Sequence, residues 1–102
     1  MPEVWETNPL TLKNVVLVKS NKKFLEVLKE IYKEYKFEWK TGREILDFII
    51  TNKKIYSDGN HFRRVMKRGF EQGFFQRATY SGQGYLWRLN PELEKYKNEL
   101  KL

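Results

Sequence analysis

Between Lys22 and Tyr35 the apolar side chains return at Phe24, Leu28, Ile31 and Tyr35. Leu25 and Tyr32 widen this stripe, while Glu26, Lys29, Glu30, Lys33 and Glu34 fall largely outside it. A recurrence close to the helical period predicts an amphipathic helix, and Ser20 or Asn21 stands where it can cap it. Residues 1–12 carry Pro2 and Pro9 among mixed polar residues and read as an irregular lead-in. Asn14–Lys19 (NVVLVK) is short and β-branched, which predicts an N-terminal strand. Lys36–Lys40 (KFEWK) alternates and predicts a short strand. Thr41 followed by Glu44 matches a capping box and opens a second helix whose Ile45, Leu46, Phe48 and Ile49 face inward.

Lys53–Gly59 is a polar connection ending in Ser57, Asp58 and Gly59, all helix-start signals. A third helix is predicted from Asn60 to Gln72, with Phe62, Val65, Met66, Gly69 and Phe70 as its buried stripe and Gly73 as its stop. Phe74–Thr79 and Tyr85–Leu89 are aromatic-rich runs joined by Tyr80, Ser81, Gly82, Gln83 and Gly84, a hairpin pattern. After Pro91, Glu92–Leu102 reads as a short charged helix with Leu93, Tyr96 and Leu100 as its apolar points. The chain is expected to be one domain over residues 1–102, with a core at 13–90 and a C-terminal helix at 91–102.

The expected class is α+β. Helix, short strand, helix, basic third helix and β-hairpin follow in the order of a winged helix, the hairpin being the wing. An N-terminal strand and a short C-terminal helix flank this part. Over about residues 21–89 the sequence resembles the globular domain of linker histones, within the winged-helix superfamily. The likeness is sharpest over NHFRRVMKRGFEQGFFQRATYSGQGYLWRLN, Asn60–Asn90. It has a basic helix with a glycine near its end, a short strand, a Gly/Ser-rich wing and the closing triplet Trp87-Arg88-Leu89. Arg63, Lys67 and Arg68 match the family's DNA-contacting helix positions. Thr79 departs from it, where a wing lysine is usual, and so does Arg64, where an apolar residue is usual. The resemblance implies a winged-helix fold that binds double-stranded DNA. In its small size, lack of cysteine and richness in Lys, Tyr and Phe, the chain also resembles proteins of crenarchaeal filamentous viruses.

A second pattern competes. Offset by 38 residues, FLEVLKEIYKEYKFEW (Phe24–Trp39) echoes FRRVMKRGFEQGFFQR (Phe62–Arg77), with Phe24/Phe62, Val27/Val65, Lys29/Lys67 and Phe37/Phe75 identical. Leu28/Met66, Tyr32/Phe70 and Leu17/Ile55 are similar. Two copies of a strand-helix-strand motif would pack pseudo-symmetrically, with a groove between them for a peptide or subunit.

Composition changes the picture at three points. There is no cysteine among 102 residues, so disulfides and Cys-based metal sites are excluded and nothing calls for an oxidising compartment. No apolar run approaches the roughly 20 residues that span a bilayer, and the acidic MPEVWE is not expected to act as a signal peptide; a cytoplasmic location is expected. The third point is charge. The net charge is +7. Lys53–Arg88 holds eight basic residues against Asp58 and Glu71, whereas residues 1–52 hold nine basic against eight acidic. Clustered basic charge, with five arginines in it, is the footprint of a polyanion binder. Dense alternating Lys and Glu over Lys22–Lys40 reads as a salt-bridged helix face, compatible with a thermophile.

The candidate DNA contacts are Arg63, Arg64, Lys67 and Arg68 on the third helix, with Arg77, Gln83 and Arg88 on the wing. Mostly phosphate contacts imply tight, weakly specific binding at low salt. Trp39 and Trp87 read as packing residues; Trp5, in the lead-in, is placed either to cover the core or to dock on a second subunit. His61 is alone, without the carboxylates a metal site would need, and stands near a helix start, at a cap or a phosphate. Neither Glu38 with Glu44 nor Asp47 with Glu44 has spacing that singles it out as an acid–base pair. Ser81-Gly82-Gln83-Gly84 has the wrong flanks for a nucleotide loop. No cofactor, metal or enzymatic activity is expected. The expected function is non-catalytic binding of double-stranded DNA, as a regulator or architectural protein. The alternative is a protein-protein interaction module or homodimer.

Overall fold

The computed structural model describes residues 4–79 and 84–102, with Val4 described by its backbone alone. The fold is α+β, with five helices and a four-stranded antiparallel sheet among these residues. The helices are α1 (Leu12–Val18), α2 (Lys22–Tyr35), α3 (Gly42–Asp47), α4 (Gly59–Glu71) and α5 (Lys97–Leu100). The strands are β1 (Val4–Glu6), β2 (Lys40–Thr41), β3 (Phe75–Thr79) and β4 (Tyr85–Leu89), in the spatial order β1-β3-β4-β2. None of these helices is long and apolar enough to cross a membrane.

Pairing of Gln76 with Arg88 and of Arg77 with Trp87 puts neighbouring residues of each strand on opposite faces. Phe75, Arg77, Trp87 and Leu89 face the helices. Gln76, Ala78, Leu86 and Arg88, with Trp5 opposite Ala78, face away. The core lies between the helix-facing side of the sheet and α2, α3 and α4. Phe24, Val27, Leu28 and Ile31 of α2 meet Ile45, Phe48 and Ile49, then Phe62 and Met66 of α4, then Phe75 and Leu89. Burial of each large apolar side chain stabilises the fold by about 1.5–3 kcal/mol.

The amphipathic stripe of α2 is buried as expected, and Asn21 caps it by accepting the Phe24 N–H at 3.2 Å. The capping box of α3 is complete: Thr41 Oγ1 accepts the Glu44 N–H and Glu44 Oε1 accepts the Thr41 N–H, both at 3.1 Å. That bond from the Thr41 backbone N–H holds the Glu44 carboxyl below the usual carboxylate range. Past Asp47 the helix widens, with the Lys53 N–H reaching the Phe48 carbonyl at 3.0 Å, a five-residue step that swings Ile49 into the core.

Four expectations are corrected. Asn14–Lys19 is not a strand but most of helix α1. Thr11 caps it, Val15 and Val18 bury at helical spacing, and Asn14 Nδ2 donates to the Gln72 carbonyl at 3.0 Å. Valine costs under about 1 kcal/mol in a helix, which that burial and those bonds offset. The N-terminal strand instead falls inside the lead-in, as β1, which pairs antiparallel with β3. The strand expected over Lys36–Lys40 shrinks to Lys40–Thr41, because Lys36 closes α2 at φ 54°. The helix expected after Pro91 is present, as a 3-10 helix over Pro91–Tyr96 that runs into the four-residue α5, and its Leu93 and Leu100 are buried. The strand-helix-strand repeat also loses the leading strand of both copies, since α1 precedes α2 and an irregular segment holding Ile55 precedes α4.

Candidate nucleic-acid interface

Helix α4 begins at Asp58, whose side chain accepts the Asn60 N–H at 2.9 Å. Phe62, Met66, Gly69 and Phe70 are buried. Gly69 lets the helix lie against the sheet: a Cβ there would come within 2.8 Å of the Phe24 and Phe75 rings. Gly73, at φ +94°, turns the chain into β3 under the Pro9 carbonyl, where a Cβ would meet the oxygen at 2.5 Å. With the inner face fixed, about 100° of turn per residue sets Arg63, Lys67, Arg64 and Arg68 on an arc of roughly 140° opposite the core. All four are exposed. None makes an ion pair among the described residues. Glu71 is the only acid within the helix.

Elsewhere five lysines are held in ion pairs. Glu30 receives Lys33 at 3.8 Å and Lys53 at 3.4 Å. Lys19 pairs with Glu99 at 2.7 Å, Lys40 with Glu38 at 3.5 Å and Lys95 with Glu92 at 3.7 Å. Helix α4 thus sets four exposed basic side chains side by side, none in an ion pair among the described residues.

The residues expected on the wing separate from that arc. Arg77 lies on the helix-facing side, its guanidinium carbon 4.3 Å from the ring centroids of Phe70 and Tyr85 and 5.9 Å from that of Trp87. Its Nε is 3.5 Å from Glu6 Oε1, an ion pair without hydrogen-bond alignment. The cation is thus held by three rings and by β1. Arg88 lies on the far face of the sheet. Its Nε donates to Gln76 Oε1 at 2.7 Å, its guanidinium covers Trp39 at 4.5 Å, and burial draws its pKa below the ordinary value. Gln83, with the rest of Tyr80–Gln83, lies outside the described residues.

His61 is exposed, with its ring 5.5 Å from that of Tyr56; the cap role belongs to Asp58. Burial raises the pKa of the Tyr56 hydroxyl. Trp87 packs on Phe70 and Phe75, and Trp5 is 54% exposed beside Trp39 on the outer sheet face. No group of three His, Asp or Glu side chains suited to a metal occurs among the described residues.

Beside Arg63 the structure adds residues that sequence reasoning passed over. Thr41, Gly42 and Arg43 at the start of α3, Arg63 and Met66 of α4, and Gly84, Tyr85 and Trp87 line a cleft of about 360 Å³. Arg43 is exposed, and it too makes no ion pair among the described residues. Its signal was hidden because it sits outside the basic segment, in a charge-balanced stretch.

A scan against protein-family models finds no match for this chain, and searches of curated proteins and of solved structures find none either.

Proposed function

We propose that this chain binds double-stranded DNA without catalysis, as a small regulator or architectural protein, and that α2 to β4 form a winged helix. In this reading α4 is the groove-facing helix and the β3–β4 hairpin is the wing. The element order supports it: α2, β2, α3, α4, β3 and β4, with β2 and β3 both antiparallel to β4. The linker-histone resemblance of residues 21–89 supports the same reading. The observation that carries it is the arc of Arg63, Arg64, Lys67 and Arg68, exposed and without acidic partners. Such an arc meets phosphates first and bases second. Arg77 is given a structural role, tying β1 to the hairpin.

The test is fluorescence anisotropy against a random-sequence duplex at about 50, 100 and 200 mM salt. Micromolar binding that falls along a steep log–log line is expected. Arg64→Ala or Lys67→Ala should each flatten the slope by roughly one unit. Absence of binding at the lowest salt would sink the proposal.

A second reading, a protein-interaction module, is favoured by α1. Leu12, Val16 and Leu17 there are each more than half exposed. Binding through that face would tolerate salt, whereas phosphate contacts would not.

A further inference from the structure

We propose that the cleft between the start of α3, α4 and β4 binds a single nucleotide. Its base would lie on Tyr85, beside Trp87, and its phosphate between Arg43 and Arg63. The inference goes beyond duplex binding and does not depend on it.

Four observations meet here. The volume of about 360 Å³ is within the range of small-molecule sites, roughly 300–1,000 Å³. The two arginines come from different helices, converge on one opening, and make no ion pair among the described residues. Glu44, the nearest acid in sequence, has one carboxylate oxygen committed to the Thr41 N–H and hydroxyl. The lining also carries two aromatic rings at 6.2 Å and 68° to each other, of which Tyr85 is 43% exposed. Arg77 stacks on the Tyr85 ring from within the protein at 4.3 Å, so that ring is held in place before any ligand arrives. Gly42 leaves the Trp87 indole nitrogen uncovered, since a Cβ there would stand 3.3 Å from it. Paired cations suit an anion, and the exposed, braced Tyr85 ring suits a planar ring. A nucleoside monophosphate carries both, either free or at the end of a nucleic-acid strand.

The Trp87 indole N–H supplies the readout, as one of three tryptophan side-chain signals in a proton–nitrogen NMR spectrum, assigned with Trp87→Phe. Titration with dAMP should shift it. Adenosine and inorganic phosphate should each bind at least about tenfold more weakly, since base–aromatic stacking and phosphate pairing each contribute on that scale. Arg43→Ala and Tyr85→Ala should each weaken dAMP binding by about tenfold, with circular dichroism showing both variants folded. An unmoved Trp87 signal, phosphate binding as tightly as dAMP, or unchanged affinity in Arg43→Ala would overturn the proposal. A blunt duplex and one with a single-nucleotide overhang separate the two sources. A shift from the overhang duplex assigns a strand-end nucleotide; a shift from dAMP alone assigns a free one. Arg64, on the far side of the arc, distinguishes this site from the duplex interface. Arg64→Ala should lose duplex affinity and keep dAMP affinity, and failure of duplex binding would appear in the anisotropy experiment alone.

Discussion

Helices α2 and α4 press the same kind of face into the core and turn different faces outward. Phe24, Val27, Leu28 and Ile31 of α2 have counterparts in Phe62, Val65, Met66 and Gly69 of α4, and all are buried except the half-buried Val65. Outside, α2 carries four lysines and three glutamates, and Glu30 binds two cations at once. Outside α4 stand three arginines and a lysine with Glu71 alone to balance them. Within the two helices the 38-residue echo therefore belongs to the inner faces, Lys29/Lys67 apart. Any two helices on one core share such a stripe. The charge on the outer face is free of that constraint, and it is where the two helices differ.

The largest effects should come from the shared faces. Phe24→Ala and Phe62→Ala each empty a core position and should cost about 3–5 kcal/mol in urea unfolding. Similar losses at both would show that the inner faces do equal work. A loss at Phe62 alone would mean that α4 anchors the core and α2 merely covers it.

Exchange of the outer faces comes next. Replacement of Arg63, Arg64, Lys67 and Arg68 by alanine should lower duplex affinity by at least about a hundredfold near 100 mM salt and flatten the salt slope by three to four units. Alanine at Lys22, Lys23, Lys29 and Lys33 removes the same formal charge from α2. It should cost less than about threefold, because three glutamates on that face leave only one lysine in excess to direct at a polyanion. Equal losses would mean that net charge alone drives binding, and the assignment to α4 would fall.

How far the sequence discloses this arrangement depends on the range of the interactions involved. Local signals carried over: the periodic stripe of α2, the Thr41–Glu44 box, the Gly73 stop and the hairpin runs around residues 80–84. Non-local competition did not. NVVLVK has the composition of a strand, but the open edge of β3 is taken by Val4–Glu6, and residues 12–18 form a helix that buries Val15 and Val18. Arg77 and Arg88 looked equivalent as flanks of one hairpin. The pleat sends them to opposite faces, one among Phe70, Tyr85 and Trp87 and the other over Trp39. The basic arc of α4 was legible because all four side chains lie on one helix. The cleft was not, because Arg43 and Tyr85 lie 42 positions apart in the sequence and meet only through the pairing of β2 with β4.

The smallest effects should appear at the caps, and they sharpen the comparison most. Asn21 caps α2 and Asp58 caps α4 through the same kind of side-chain bond, at 3.2 and 2.9 Å. Alanine at either should cost about 1 kcal/mol of stability, read as a lower urea midpoint with an unchanged slope. Asparagine and aspartate cap almost equally well, so their exchange changes charge and little else. Asp58→Asn removes a negative charge from the start of the basic helix and should raise duplex affinity by about twofold at low salt, the gain fading as salt screens it. Asn21→Asp adds a charge at the start of the helix that faces no phosphate, and duplex affinity should stay within error of wild type. If the two exchanges moved affinity by equal and opposite amounts, the polyanion would be sensing the charge of the whole molecule, and α4 would have no special claim to it.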